Sequence, residues 1–228
     1  MRRDTQHVLL LLLGGALVRI AADDTYLRYV RPSHRWWLLA AGAVMIALAA
    51  AALVRDLRGV GSADGHSHGA PHSAWLLLLP VLVIVLVAPP ALGADAVDRS
   101  RGIALRSTEI YPPLPPGPLE LSIGEVVERS VWDEARSLDD RAVVLTGFVV
   151  RRGPDTLLAR IAIACCAADA RPHVIRLLGP VGAPPPDSWL RIRGTVAPGS
   201  ATRANGYTPD LIVEDVAVVP APADPYEY

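Results

Sequence analysis

Long uninterrupted apolar runs and short alternating ones divide this chain into two unlike parts. Three stretches in the first 92 positions, 8–22, 36–54 and 74–92, are almost wholly apolar. A helix needs roughly 20 such residues to cross a bilayer, with about 17 at the low end. Trp36–Val54 meets this with no internal charge; Trp36 and Trp37 mark one end and Arg55 the other, the flanks expected at a membrane interface. Ala74–Leu92 opens with Trp75, carries Pro80 and closes at Pro89-Pro90, where a helix cannot continue. Val8–Ala22 is shorter and contains Arg19. It stands behind Arg2 and Arg3 like a signal-peptide core, but no small-residue cleavage site follows. A short or tilted span, with Arg19 reaching an interface, is the expectation. Residues 1–93 are thus expected to form a multi-pass membrane region of three helices.

The rest of the chain has shorter periods. Residues 94–118 read as a linker, with Asp95, Asp98 and Arg99 leading into the Pro-dense stretch from Tyr111 to Pro118. Ser122–Ala135 has helical periodicity, and Ser122 followed three residues later by Glu125 is a capping-box pattern. Runs of strand character follow at 142–152, 157–164, 173–178, 189–196 and 211–219, separated by turns rich in Gly and Pro. Strand-length runs with no helices between them predict a small antiparallel barrel or sandwich over 119–228. Gly147 and Gly194, each inside such a run, suggest the bends of a small OB-like barrel. The expected architecture is therefore membrane-anchored, with N-terminal transmembrane α-helices and a C-terminal mainly-β domain preceded by one helix.

Charge narrows the partners. Residues 1–114 hold 11 Arg and 8 acids, a net +3, whereas 115–228 hold 11 Arg and 15 acids, a net −4. An acidic soluble domain is a poor match for a phosphate backbone, so nucleic acid is not an expected partner; membrane lipid is. With three spans, a cytoplasmic N-terminus would leave Arg28, Arg31, Arg35, Arg99, Arg101 and Arg106 outside against Arg2, Arg3, Arg55 and Arg58 inside. The positive-inside rule favours the reverse, with the C-terminal domain in the cytoplasm.

Candidate chemistry is concentrated at Cys165-Cys166-Ala-Ala-Asp169-Ala-Arg-Pro-His173, which holds both cysteines of the chain. Two thiols, a carboxylate and an imidazole within nine residues are the donors that zinc and other soft divalent ions take. On an extended strand Cys165 and Cys166 point to opposite faces, so they can share an ion only if the strand ends there, and Ala167-Ala168-Asp169 supplies a possible turn. Two blander alternatives stand beside this one: a cysteine packed as a small apolar residue with Asp169 capping a turn, and a redox-active dithiol. Neighbouring cysteines are poorly placed for an ordinary disulfide, and there is no C-x-x-C pair. A second, weaker metal candidate is the loop 64–72 with His66, His68 and His72, which is equally readable as a polar hairpin between spans. The chain has no phosphate-binding Gly-rich loop, nucleophile elbow, H-E-x-x-H pair or dinucleotide fingerprint, so a non-enzymatic protein is expected.

Several of these elements together look familiar. Tyr29-Val-Arg-Pro32, the His-rich loop, Pro89-Pro90-Ala-Leu92, Leu145-Thr-Gly-Phe-Val149, Arg160 through the Cys-Cys-Ala-Ala-Asp-Ala run, Trp189–Thr195 and Pro225-Tyr-Glu-Tyr228 follow one another in that order. In this order the chain resembles the bacterial YcgQ-type family, described as one subunit of a two-component membrane permease complex. The resemblance implies a multi-span permease partner, an accessory role for this chain in the bacterial cell membrane, and Cys165, Cys166 and Asp169 as motif positions. A membrane-tethered thiol redox protein and a non-catalytic assembly module remain alternatives.

Overall fold

The computed structural model describes residues 3–58, 86–87, 89–99, 111–117 and 119–228. The loop 64–72 with His66, His68 and His72, and most of the third apolar run, lie outside the described residues. The chain divides into two compact units, Met1–Pro90 and Ala91–Tyr228.

In the first unit α1 (Arg3–Ala22) packs along α2 (Arg35–Leu57). Small residues allow the approach: a Cβ on Gly14 would stand 2.8 Å from the Gly42 carbonyl oxygen, and one on Gly42 only 2.7 Å from Val18 Cγ2. Short 3-10 turns at Thr25–Arg28 and Pro32–His34 join the helices, with Tyr26 and Leu27 buried between them. Charged groups gather at the two ends, with His7 3.7 Å from Asp56 at one and Arg35 3.5 Å from Asp24 at the other. The segment Pro32–Leu57 is long and apolar enough to cross a membrane, while the apolar part of α1, Gln6–Ala22, is shorter. Trp36, Trp37, Leu48 and Leu57 all stand exposed, so this unit leaves its apolar surface outward.

The second unit turns its apolar residues inward. It contains α3 (Ala94–Arg99), α4 (Ile123–Trp132) and strands β1 (Leu119–Glu120), β2 (Ala142–Arg152), β3 (Asp155–Ala162), β4 (Arg171–Leu178), β5 (Trp189–Val196), β6 (Asp210–Val218) and β7 (Tyr226–Glu227). These form one seven-stranded sheet in the order β1-β2-β5-β6-β4-β3-β7, and β2 also pairs with β3. Most ladders are antiparallel; β4 with β6, β1 with β2 and β3 with β7 are parallel.

Strand β2 bonds to β5 over Ala142–Phe148 and to β3 over Phe148–Arg152, so its corner falls at Gly147 and Phe148. Any side chain at Gly147 would meet the Ala159 carbonyl oxygen at 2.6 Å. Gly194 sits at the irregular register between β5 and β6. Gly147 thus lies where β2 changes partner, and Gly194 where the β5–β6 register shifts.

Two apolar clusters result. The larger holds Leu145, Leu158, Ile175, Leu190 and Leu211 against Ile123, Val126 and Val127 of α4. The smaller holds Phe148, Val150, Ile161 and Tyr226 with Ala94 and Val97 of α3, so residues 94–99, within the stretch read as a linker, pack on the β domain. Nearer α4, the Pro-rich segment is tied down by arginines: Arg129 donates to the Pro112 carbonyl at 3.1 Å and lies over the Tyr111 ring, and Arg141 donates to the carbonyls of Pro115 and Gly117.

Ser122 caps α4 by accepting the Glu125 N–H at 3.0 Å. The reciprocal half of the expected capping box is absent, because the Glu125 carboxylate instead accepts from Arg129 at 2.9 Å.

Candidate functional site

The cysteines lie where β3 has ended. Ala162 is its last residue, Ile163 is still buried, and the chain then turns through a 3-10 turn at Ala167–Asp169 before β4 starts at Arg171. Cys165 is exposed, Cys166 half-buried, and both are free thiols. Leaving the strand brings the two side chains to one side, with the sulfurs 3.7 Å apart.

Asp169 organises the turn. One of its carboxylate oxygens accepts the Ala164 N–H at 2.7 Å; the other accepts the N–H of Cys165 at 2.9 Å and of Cys166 at 3.2 Å. The Cys165 thiol adds a donor at 2.9 Å to that second oxygen. Four donors thus converge on this carboxylate, one on the first oxygen and three on the second, the last of them a removable proton. The thiol bond and the backbone donors hold the Asp169 carboxyl well below the usual carboxylate range. Read from the other side, the bonds to Asp169 and then to Cys166 push the Cys165 thiol up to about 11. At neutral pH the proton therefore stays on sulfur.

One ligand atom each from Cys165, Cys166 and Asp169 lie within 4.8 Å of one another, the grouping a metal ion needs. His173 does not join them. It is the third residue of β4, pairs across to Arg160 and is buried against Gly124 at the start of α4, so the strand carries its ring away from the turn. Burial, with Arg171 adding to it, lowers its pKa from the ordinary imidazole value.

A second polar cluster lies beside this histidine. The Glu227 carboxylate accepts the N–H groups of Ile123 and Gly124, each at 3.0 Å, and stands 3.8 Å from Arg160. Arg160 in turn donates to the Tyr226 carbonyl at 2.9 Å and stacks over the Trp189 ring. Both side chains are largely buried. Residue patterns gave no notice of this cluster, since Arg160 sits in an apolar strand and its partners lie far along the chain. The one available hint was the compact Pro225-Tyr-Glu-Tyr228 phrase.

Fold and site together define a small mainly-β domain with an exposed thiol–carboxylate turn, in a chain that also carries an apolar helix of membrane-crossing length. Residues 129–228 match the family model of the DUF1980 C-terminal domain, from the middle of α4 through β7, and so include Cys165, Cys166, Asp169, His173 and Glu227. No curated protein and no solved structure matches the chain.

Proposed function

We propose that this chain is a membrane-anchored accessory subunit of a transport complex, whose β domain binds a soft divalent ion such as zinc at Cys165, Cys166 and Asp169. The carrying observation is the sulfur spacing. Two sulfurs bound to one tetrahedral ion at about 2.3 Å stand about 3.8 Å apart. The thiols here are 3.7 Å apart before any ion arrives. An ion that displaces the Cys165 proton also releases the Asp169 oxygen which that proton held. Three protein ligands leave a fourth position open, which suits a site that takes up an ion as cargo and passes it on.

The absence of a C-x-x-C pair and the poor placement of neighbouring cysteines for an ordinary disulfide favour this reading over thiol redox chemistry. The circuit β2-β5-β6-β4-β3-β2 supports an OB-like barrel beneath the site. Outward apolar side chains on α2 and charges at both ends of the helix pair support insertion in the bacterial cell membrane. A multi-pass topology with the β domain in the cytoplasm, and a multi-span permease as partner, complete the proposal.

Its test is cobalt binding by the whole chain in mild detergent. One Co²⁺ per chain, with a sulfur-to-cobalt charge-transfer band that disappears in Cys165→Ser/Cys166→Ser, is the expected result. Unchanged stoichiometry in the double variant would remove the thiols from the site. Co-purification of a polytopic protein at equal abundance tests the partner, and recovery of the chain alone would count against it.

A further inference from the structure

We propose that Glu227 is the positioning residue of the thiol site, fixing the turn that carries Cys165 and Cys166 from outside it. This rests on the reading of those thiols as metal ligands. Asp169 restrains the turn from within, but its bonds are all to residues 164–166, so they give the turn a shape without attaching it to the domain. The β3–β4 ladder closes the turn at Ala162 and Arg171, and a tie from outside that hairpin comes through Ile163, two residues before Cys165, whose N–H donates to the Glu227 carbonyl at 3.0 Å.

Strand β7 cannot hold that carbonyl in place by pairing alone. It meets β3 at only two positions, Ile161 with Tyr226 and Ala162 with Glu227. Its anchors are Tyr226, buried in the smaller apolar cluster, and the Glu227 side chain. The carboxylate spans the N–H groups of Ile123 and Gly124, at the positive end of the α4 dipole, where an anion is favoured. Arg160, on the strand that leads into the turn, completes the clamp by donating to the Tyr226 carbonyl and facing the Glu227 carboxylate.

The space around the clamp is closely filled. A Cβ at Gly124 would come 3.3 Å from Glu227 Oε2 and 3.4 Å from the His173 ring, so glycine lets helix, carboxylate and imidazole meet. Glu227 thus joins three elements, with its side chain on α4, its backbone on the end of β3, and its strand beside Arg160. The cysteine turn hangs from that junction. The junction lies one step beyond groups that bond a ligand directly, whose loss typically weakens metal binding about 10–100-fold, so the low end of that range is expected here.

The experiment compares Glu227→Ala with Asp210→Asn in the full chain in detergent. Asp210 pairs with Arg176 at 2.7 Å between β6 and β4, so its variant controls for general loss of stability. Hydrogen exchange of the 163–166 amides, the alkylation rate of Cys165 and Co²⁺ affinity are measured on both. Glu227→Ala is expected to speed exchange and alkylation at the turn and weaken Co²⁺ binding by about tenfold at unchanged stoichiometry, with Asp210→Asn near wild type. If Glu227→Ala fails to fold, Glu227→Gln, which keeps side-chain length and one acceptor, carries the comparison. Turn exchange equal in the two variants overturns the proposal. If the wild-type chain binds no Co²⁺, the metal reading fails, while exchange and alkylation still decide the positioning role.

Discussion

Asp169 and Glu227 perform the same local act in opposite surroundings. Each is a carboxylate that gathers backbone N–H groups with no other partner, three for Asp169 and two for Glu227. Asp169 does so at the surface, for residues three to five positions before it, and its pKa is drawn down by its donors. Glu227 does so in the interior, for residues over 100 positions away, and burial drives its pKa up in spite of its donors and Arg160. The surface carboxylate shapes a turn from neighbouring residues; the buried one joins elements distant in the chain, so the larger share of the domain's stability is expected to rest on it.

The sharpest way to break this contrast is to remove each carboxylate in turn. Glu227→Ala leaves Arg160 buried without its counter-charge and two N–H groups at the α4 terminus unmet, which should cost about 3–5 kcal/mol of unfolding free energy. Asp169→Ala exposes its donors to water, which can replace the lost bonds, so its urea midpoint should stay close to wild type. Equal losses in the two variants would end the distinction.

A smaller effect sharpens the surface half of the comparison. Because the Cys165 proton is held up to about 11, metal binding at neutral pH must displace it. Apparent Co²⁺ affinity should therefore rise by at least about tenfold for each pH unit between 6 and 8. An affinity flat over that range would mean that Cys165 is not a ligand.

The same contrast explains what could be read from residues alone. Strands β2 and β5 follow their alternating runs residue for residue at Ala142–Arg152 and Trp189–Val196, because one face of each meets the core over much of its length. Expected at 157–164, β3 occupies Asp155–Ala162, since Asp169 draws Ala164 and Cys165 out of the alternation. The two-residue strands β1 and β7 are too short to carry any period. Helix α3 looked like linker because its burial depends on Phe148 and Ile161 from elsewhere. At the site, Cys165, Cys166 and Asp169 were legible because they are joined within one turn. His173, close to them in sequence, is carried off by its strand, and Arg160 and Glu227 meet only once the sheet has formed.

The mildest prediction concerns pH, and here the buried cluster divides against itself. Glu227 has a raised pKa, so its contribution to stability is full below its unfolded value of 4.5 and is lost as pH rises through the folded value. His173 has a lowered pKa, so its contribution is full above 6.5 and is lost as pH falls through the folded value. The charged group that faces Glu227 is Arg160, and Arg171 is near His173. The two contributions therefore slope in opposite senses, that of Glu227 falling just above 4.5 and that of His173 rising toward 6.5. Removing one group should expose the other. Urea midpoints of Glu227→Gln should climb more steeply from pH 4.5 to 6.5 than those of wild type, and midpoints of His173→Gln should climb less or fall. Parallel profiles in all three proteins would mean that neither buried group titrates differently in the folded and unfolded chain, and the interior carboxylate would then be no more constrained by its surroundings than the one at the surface.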